Sequence, residues 1–269
     1  MKSIRRVLTA TTIALASLSA NASSISAGGV TWDPDWVDGG EQDFSLSYDF
    51  TQWFSSTNVA NNNVGSMQTS YTNAVGINTV LSTLNGSTAS TGYFLSGVGE
   101  AYLINGDYSF CSGCELTLAF GGLELFKNNT FDVTNAWINL YVDNSADYSH
   151  PTSNVAEVAS AMDGNIWISA SILSFGLTGG TVDNGLASAQ IQVTGGLAAS
   201  YFLDSSLAGF ALQSGSAFFN ALSNAKYSSQ GNGQVHSDTS VVTVPEPQNI
   251  LMFSLGLLGL ATVLRRKKV

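Results

Sequence analysis

Cys111-Ser112-Gly113-Cys114 is the sharpest local motif in the chain. In a redox enzyme such spacing places a low-pKa thiolate at a helix N-terminus. Here the flanking residues are strand-like (Tyr108 and Phe110 before, Leu116 and Leu118 after), and no basic side chain lies nearby in sequence. The motif therefore reads as a structural disulfide pinning a turn, of the kind an oxidising compartment permits. Redox chemistry and metal ligation are the lesser alternatives, the latter because His150 and His236 are the only histidines. A loop this short limits the entropic gain from closure.

Two acidic stretches could supply oxygen ligands to Ca²⁺. One is Asp143-Asn144-Ser145-Ala146-Asp147, with Asp143 and Asp147 as candidate ligands; the other is Asp33-Pro34-Asp35 with Asp38. Neither has the EF-hand spacing, with Gly at position six and Glu at twelve. Solvated turns with loose screening by divalent cations are the plainer reading, and no other cofactor is expected. Trp32, Trp36, Trp53, Trp137 and Trp167 could stack on sugar rings, although large aromatics more often pack in a core. Nucleophile machinery is missing: no Gly-x-Ser-x-Gly elbow and no Walker loop occurs. A triad would have to recruit His150, which precedes Pro151. Carboxylates are numerous enough for a glycosidase pair, so a secreted hydrolase stays as a third alternative.

The elements that must position these residues read as β-structure. Phe44, Leu46, Tyr48 and Phe50 alternate with Ser45, Ser47 and Asp49, a half-buried strand. Thr91 to Ile104 is a second, closed by the turn pair Asn105-Gly106. Leu116, Leu118 and Phe120 alternate until Gly121-Gly122, where a bulge or tight bend is expected before Leu123 to Phe126. Phe131 to Val142 reads as a strand with Ile138, Leu140 and Val142 on one face and Trp137, Asn139 and Tyr141 on the other. Ile166 to Phe175, Ala189 to Thr194 and Leu197 to Leu203 follow, the last two joined through Gly195-Gly196. Helix is confined to Val155 to Met162, with Ser153 or Asn154 as N-cap, and more weakly to Met67 to Leu84. Many strands with Gly-rich turns predict an all-β domain, an antiparallel β-sandwich or jelly roll with minor helix.

Both ends differ from this body. Lys2, Arg5 and Arg6 precede the apolar stretch Val7 to Leu18, and Ala20-Asn21-Ala22 offers the small-x-small site of a signal peptidase, with Ala20 and Ala22 flanking the recognition step. A signal helix over 1–22 is expected, and export with it. At the other end Pro245-Glu246-Pro247 leads into the apolar run Ile250 to Leu264 and then Arg265, Arg266, Lys267 and Lys268. At fifteen residues the run falls short of the roughly 20 that span a bilayer comfortably, and the basic cluster holds the end on the cytoplasmic side. The two prolines keep Glu246 in an extended, accessible strip.

The segment Val244 to Lys268 resembles the PEP-CTERM sorting signal of Gram-negative bacteria, the substrate of exosortase. It carries the Pro-Glu-Pro tripeptide, a Gly/Leu-rich span including Gly256-Leu257-Leu258-Gly259-Leu260, and the terminal basic cluster. The resemblance implies cleavage or transfer near Pro245 to Pro247, with transient membrane insertion through the tail. Cys111 to Gly122, reading CSGCELTLAFGG, is similar to a segment of flocculation-associated PEP-CTERM proteins. That second likeness implies a role in the extracellular polymeric matrix and brings no catalytic residues. The expected layout is a signal peptide over 1–22, an acidic β-rich extracellular domain over 23–222, a flexible linker over 223–243 and the sorting signal over 244–269, its short transmembrane helix acting as a sorting helix.

Stripping the termini changes the charge. Between Ser23 and Val244 only Lys127 and Lys226 face 18 acidic residues, a net of −16. Such a surface repels nucleic acid and anionic lipid, which sets nucleic acid aside as a partner. The expected function is a non-enzymatic protein of the cell surface or matrix taking part in floc or biofilm formation. Its partners would be exosortase and signal peptidase during export, and extracellular polysaccharide afterwards. The alternative is a secreted carbohydrate-binding module.

Overall fold

Alternation of apolar and polar residues builds the first long strand, and the rest of the sheet grows from it. In the computed structural model the structure describes residues 24–33, 36, 44–149, 154–182, 184–202, 210–216 and 229–237. A small hairpin, β1 (Ile25–Ala27) and β2 (Val30–Trp32), precedes β3 (Phe44–Ser55). Two short helices follow, α1 (Val64–Thr72) and α2 (Ile77–Leu81), and then β4 (Ser90–Ile104), β5 (Glu115–Phe126), β6 (Phe131–Asp132) and β7 (Trp137–Asp143). After α3 (Val155–Ser160) come β8 (Asn165–Thr181), β9 (Asn184–Gly195), a 3₁₀ turn at Ala199–Tyr201, β10 (Phe210–Ser216) and β11 (Ser229–Ser237).

The pairing is antiparallel throughout: β3 with β4, β4 with β5, β5 with β7, and on through β8, β9 and β10 to β11. β11 then pairs with β3, so the sheet closes on itself as an eight-stranded barrel, with β6 added beside the far end of β5. The all-β class expected from the sequence is observed. The sandwich or jelly roll is corrected to one continuous meander, because a jelly roll needs long crossovers between sheets and these strands pair with their sequence neighbours. Bulges supply the curvature that closure demands. In the β4–β5 ladder Leu95 faces Leu123 and Gly97 faces Phe120, so Ser96 alone opposes Gly121-Gly122. That extra residue shifts the phase of β5, and Leu116, Leu118, Leu123 and Leu125 all reach the core.

Gly97 faces inward under the Phe120 ring, where a Cβ would lie 2.4 Å from the ring edge. The Asn105-Gly106 turn has both residues at positive φ (48° and 76°), the geometry that suits a two-residue hairpin.

One end of the barrel is stopped by aromatic residues. Trp32 of β2 stacks on Phe202 at 5.9 Å and meets Trp167 edge-on at 5.5 Å. The Trp167 indole N–H donates to the Ala27 carbonyl at 2.9 Å, tying β8 to the β1–β2 hairpin. Outside the wall formed by β3, β4, β5 and β7, α1 and α3 lie on a second apolar cluster of Trp53, Met67, Val98, Ala119, Trp137, Tyr141 and Val158. Both faces of these strands are therefore buried, including the Trp137, Asn139 and Tyr141 face of β7.

Four expected elements differ. Phe131 to Val142 is two strands, since the Asp132 carboxylate accepts from Thr134 N–H at 2.9 Å and turns the chain. Met67 to Leu84 is two helices, α1 starting earlier at an Asn63 cap. Leu197 to Leu203 holds the 3₁₀ turn, which puts Ala198 and Phe202 into the stopped end. The linker expected over 223–243 contains β11, whose backbone finds partners on both β3 and β10. The expected signal and sorting helices lie outside the described residues. Among the described residues no helix is long and apolar enough to cross a membrane.

Candidate functional site

Glu115 opens β5 and Asp143 closes β7, and the register sets them directly opposite each other. Like charges at such a pair destabilise a sheet, which makes this end of the barrel chemically unusual. Asp147 joins them from the following loop, and one carboxylate oxygen from each of the three lies within 4.8 Å of the others. Asp143 accepts from Ser145 N–H at 3.0 Å and so shapes the loop that brings Asp147 back. Glu115 is buried and accepts from the backbone N–H of Asp147 at 3.3 Å and of Tyr148 at 3.3 Å.

The neighbours extend the negative charge into a band. Glu100 on β4 pairs across the ladder with Asp49 on β3, while Asp163 follows α3. Burial pushes the Glu115 carboxyl above its ordinary range; the two backbone donors pull against this, and Glu100 and Asp147 add to it. Burial also raises Glu100, with Asp49 contributing, and raises Asp163, with Asp147 and Asp143 contributing. No basic side chain interrupts the band, because Lys127 is the only Lys or Arg among the described residues. Clustered carboxylate oxygens of this kind are the donor type that hard divalent cations take.

The candidate ligands Asp143 and Asp147 are thus brought together, and the sequence reading missed Glu115, Glu100 and Asp163. A signal for Glu115 was present: once the strands on either side of residue 129 are paired as a meander, position 115 falls opposite 143. In the second acidic stretch the Asp33 carbonyl accepts from Asn105 Nδ2 at 2.7 Å, while Pro34, Asp35 and Asp38 lie outside the described residues.

Cys111 and Cys114 form a disulfide in the β4–β5 loop, with Cα atoms 5.2 Å apart. The loop is a clamp: Cys111 bridges to Val30, and Thr31 N–H donates to the Phe110 carbonyl at 2.8 Å, so it holds the hairpin that stops the barrel. Trp32, Trp53, Trp137 and Trp167 are all buried, which removes them as sugar platforms; Trp36 is half-buried. His150 lies outside the described residues, and His236 sits in β11 opposite Ala211 and Ser45. Ala20, Ala22, Pro245, Glu246, Pro247, Arg265, Arg266, Lys267 and Lys268 also lie outside them.

Comparison with known proteins finds no matching family model, no similar curated protein and no similar solved structure.

Proposed function

We propose that this chain is an exported, exosortase-processed protein of the cell surface or extracellular matrix of a Gram-negative bacterium, taking part in floc or biofilm formation without catalysing a reaction. The observation that carries the reading is the three-part C-terminal pattern: Pro245-Glu246-Pro247, the apolar run Ile250 to Leu264, and the cluster Arg265 to Lys268. An extended strip, a short membrane stop and a basic retention cluster are what a membrane-embedded processing enzyme requires of its substrate. The leader with its Ala20-x-Ala22 site, the disulfide and the strongly acidic body are consistent with life outside the cytoplasm.

In this reading the ectodomain is held among extracellular polysaccharide by many weak contacts, with divalent cations screening its acidic band and bridging it to acidic sugars. Intact-mass measurement of the form recovered from outside the cells tests the processing step. The expected species begins near Ser23 and ends near Pro245 to Pro247. Replacing Pro245-Glu246-Pro247 with three alanines should leave the tail attached and the protein in the membrane fraction. Recovery of the untrimmed chain from wild-type cells, or unchanged aggregation in a deletion strain, would overturn the reading.

A further inference from the structure

The barrel is stopped at one end by the Trp32 cluster, but its interior is not packed solid. A cavity of about 40 Å³ lies toward the other end, lined among others by Tyr48, Phe50, Phe120, Phe131, Ile172 and Phe175. A second void of about 20 Å³ continues toward the stopped end, and Tyr48 and Ile138 line both. Protein interiors rarely leave space larger than a water, and apolar space of this kind stays dry. At roughly 10–15 Å³ per water-sized sphere, the larger void takes about three before any side chain moves. Eight strands enclose an interior that side chains can just fill or that can hold one small ligand. Ala187 on β9 is the smallest side chain of the lining and leaves room there.

Access and polarity are both defined. Phe131 and Phe175 meet edge-on at 4.8 Å across β6 and β8, and both are half-buried. β6 is held by only two register positions on β5, so Phe131 sits on the element of this rim with the least backbone support. Inside, Tyr48 is 2% exposed and lines both voids. Gln52 also lines the cavity and is already engaged. A tyrosine hydroxyl beside an apolar void is a donor that an acceptor oxygen on a guest can meet.

We propose that the barrel binds a small apolar molecule bearing one hydroxyl or carbonyl oxygen. Its apolar body packs among Phe50, Phe120 and Ile172, its oxygen meets the Tyr48 hydroxyl, and the Phe131–Phe175 pair forms the entrance. The proposal does not depend on the sorting tail. Phenol and benzene are the probes, titrated calorimetrically into the purified full-length chain. Both should bind saturably at one site, phenol at least fivefold more tightly. Tyr48→Phe should bring phenol to the affinity of benzene and leave benzene unchanged. Ala187→Leu, which fills the void, should weaken both at least tenfold while keeping the thermal midpoint.

Absence of saturable binding by the folded wild-type chain overturns the site, as does binding that survives Ala187→Leu. Phenol affinity indifferent to Tyr48→Phe overturns the polar contact. Should Ala187→Leu not fold, Phe175→Ala replaces it. A widened entrance must then admit 2-naphthol, which the wild type excludes, and an unchanged preference overturns the proposal.

Discussion

Gly122 holds a φ of +77°, and a Cβ there would stand 2.1 Å from the Asn135 carbonyl oxygen. Both facts bear on the bulge that keeps Leu123 and Leu125 facing the core. Gly122→Ala should therefore lower unfolding stability by about 2–3 kcal/mol, from backbone strain together with displacement of the 133–136 turn. Urea denaturation followed by circular dichroism measures this, and a cost below about 0.5 kcal/mol would show that the bulge tolerates a side chain. The disulfide belongs to the same scale. Closing four residues contributes about 2 kcal/mol through the unfolded state. Replacing Cys111 and Cys114 together by serine should show that loss in the same assay, with the reductant-treated wild type matching the variant.

At the level of elements, α1 and α3 succeed through their caps and the wall beneath them rather than through propensity. Asn154 accepts from Ala156 N–H at 2.8 Å and Glu157 N–H at 3.1 Å, starting a helix of only six residues. Asn154→Ala should cost about 1 kcal/mol, read from the shift in denaturation midpoint at unchanged slope. Two polar members of the outer wall bond to the layer above: Trp53 Nε1 donates to Ser70 Oγ at 3.0 Å, and Thr117 Oγ1 to the Ala161 carbonyl at 2.9 Å. The β1–β2 hairpin is too short to stand alone and is held by Trp32, Trp167 and the disulfide loop. Trp167→Ala removes a fully buried ring and the bond to Ala27, and should cost about 3–5 kcal/mol in the same denaturation assay.

For the whole molecule, the acidic band governs the response to pH. Glu100, Glu115 and Asp163 have folded pKa values above their ordinary ones, so the folded state binds protons more tightly than the unfolded chain. Their stabilising contribution is complete below the unfolded values, about 4, and is lost as pH rises through the raised folded values. Asp107 and Asp132 are lowered by hydrogen bonds from Ser109 and Thr134, so their contribution is present above about pH 4 and lost below it. Thermal midpoints measured in a chelator should therefore rise as pH falls from 7 toward about 5, and fall again below about 4. A flat profile between 7 and 5 would show that the band does not strain the fold. Closure of the sheet leaves no long open edge between β3 and β11, which guards the chain against stacking edge to edge.

Local chemistry was legible without a structure wherever one residue type decides the backbone. Asn105-Gly106 turns, Gly121-Gly122 bulges, Asn154 caps, and Phe44, Leu46, Tyr48 and Phe50 share the core face of β3, although the strand read as half-buried has Ser45 and Ser47 buried on its other face. The all-β class followed from the same signals. Closure did not, because a barrel and a sandwich ask for the same alternation, and only the return of β11 to β3 separates them. β11 itself was hidden: Ser229 to Ser237 has no apolar alternation, and its strand conformation is set by the ladder partners on either side. The acidic band was half visible, since Asp143 and Asp147 are close in sequence whereas Glu115 joins them only through strand register. Charge, terminal pattern and turn chemistry are properties of neighbouring residues and were determined by the sequence alone. The cavity, the aromatic stop and the buried carboxylates depend on which distant strands meet, and that was decided by tertiary packing.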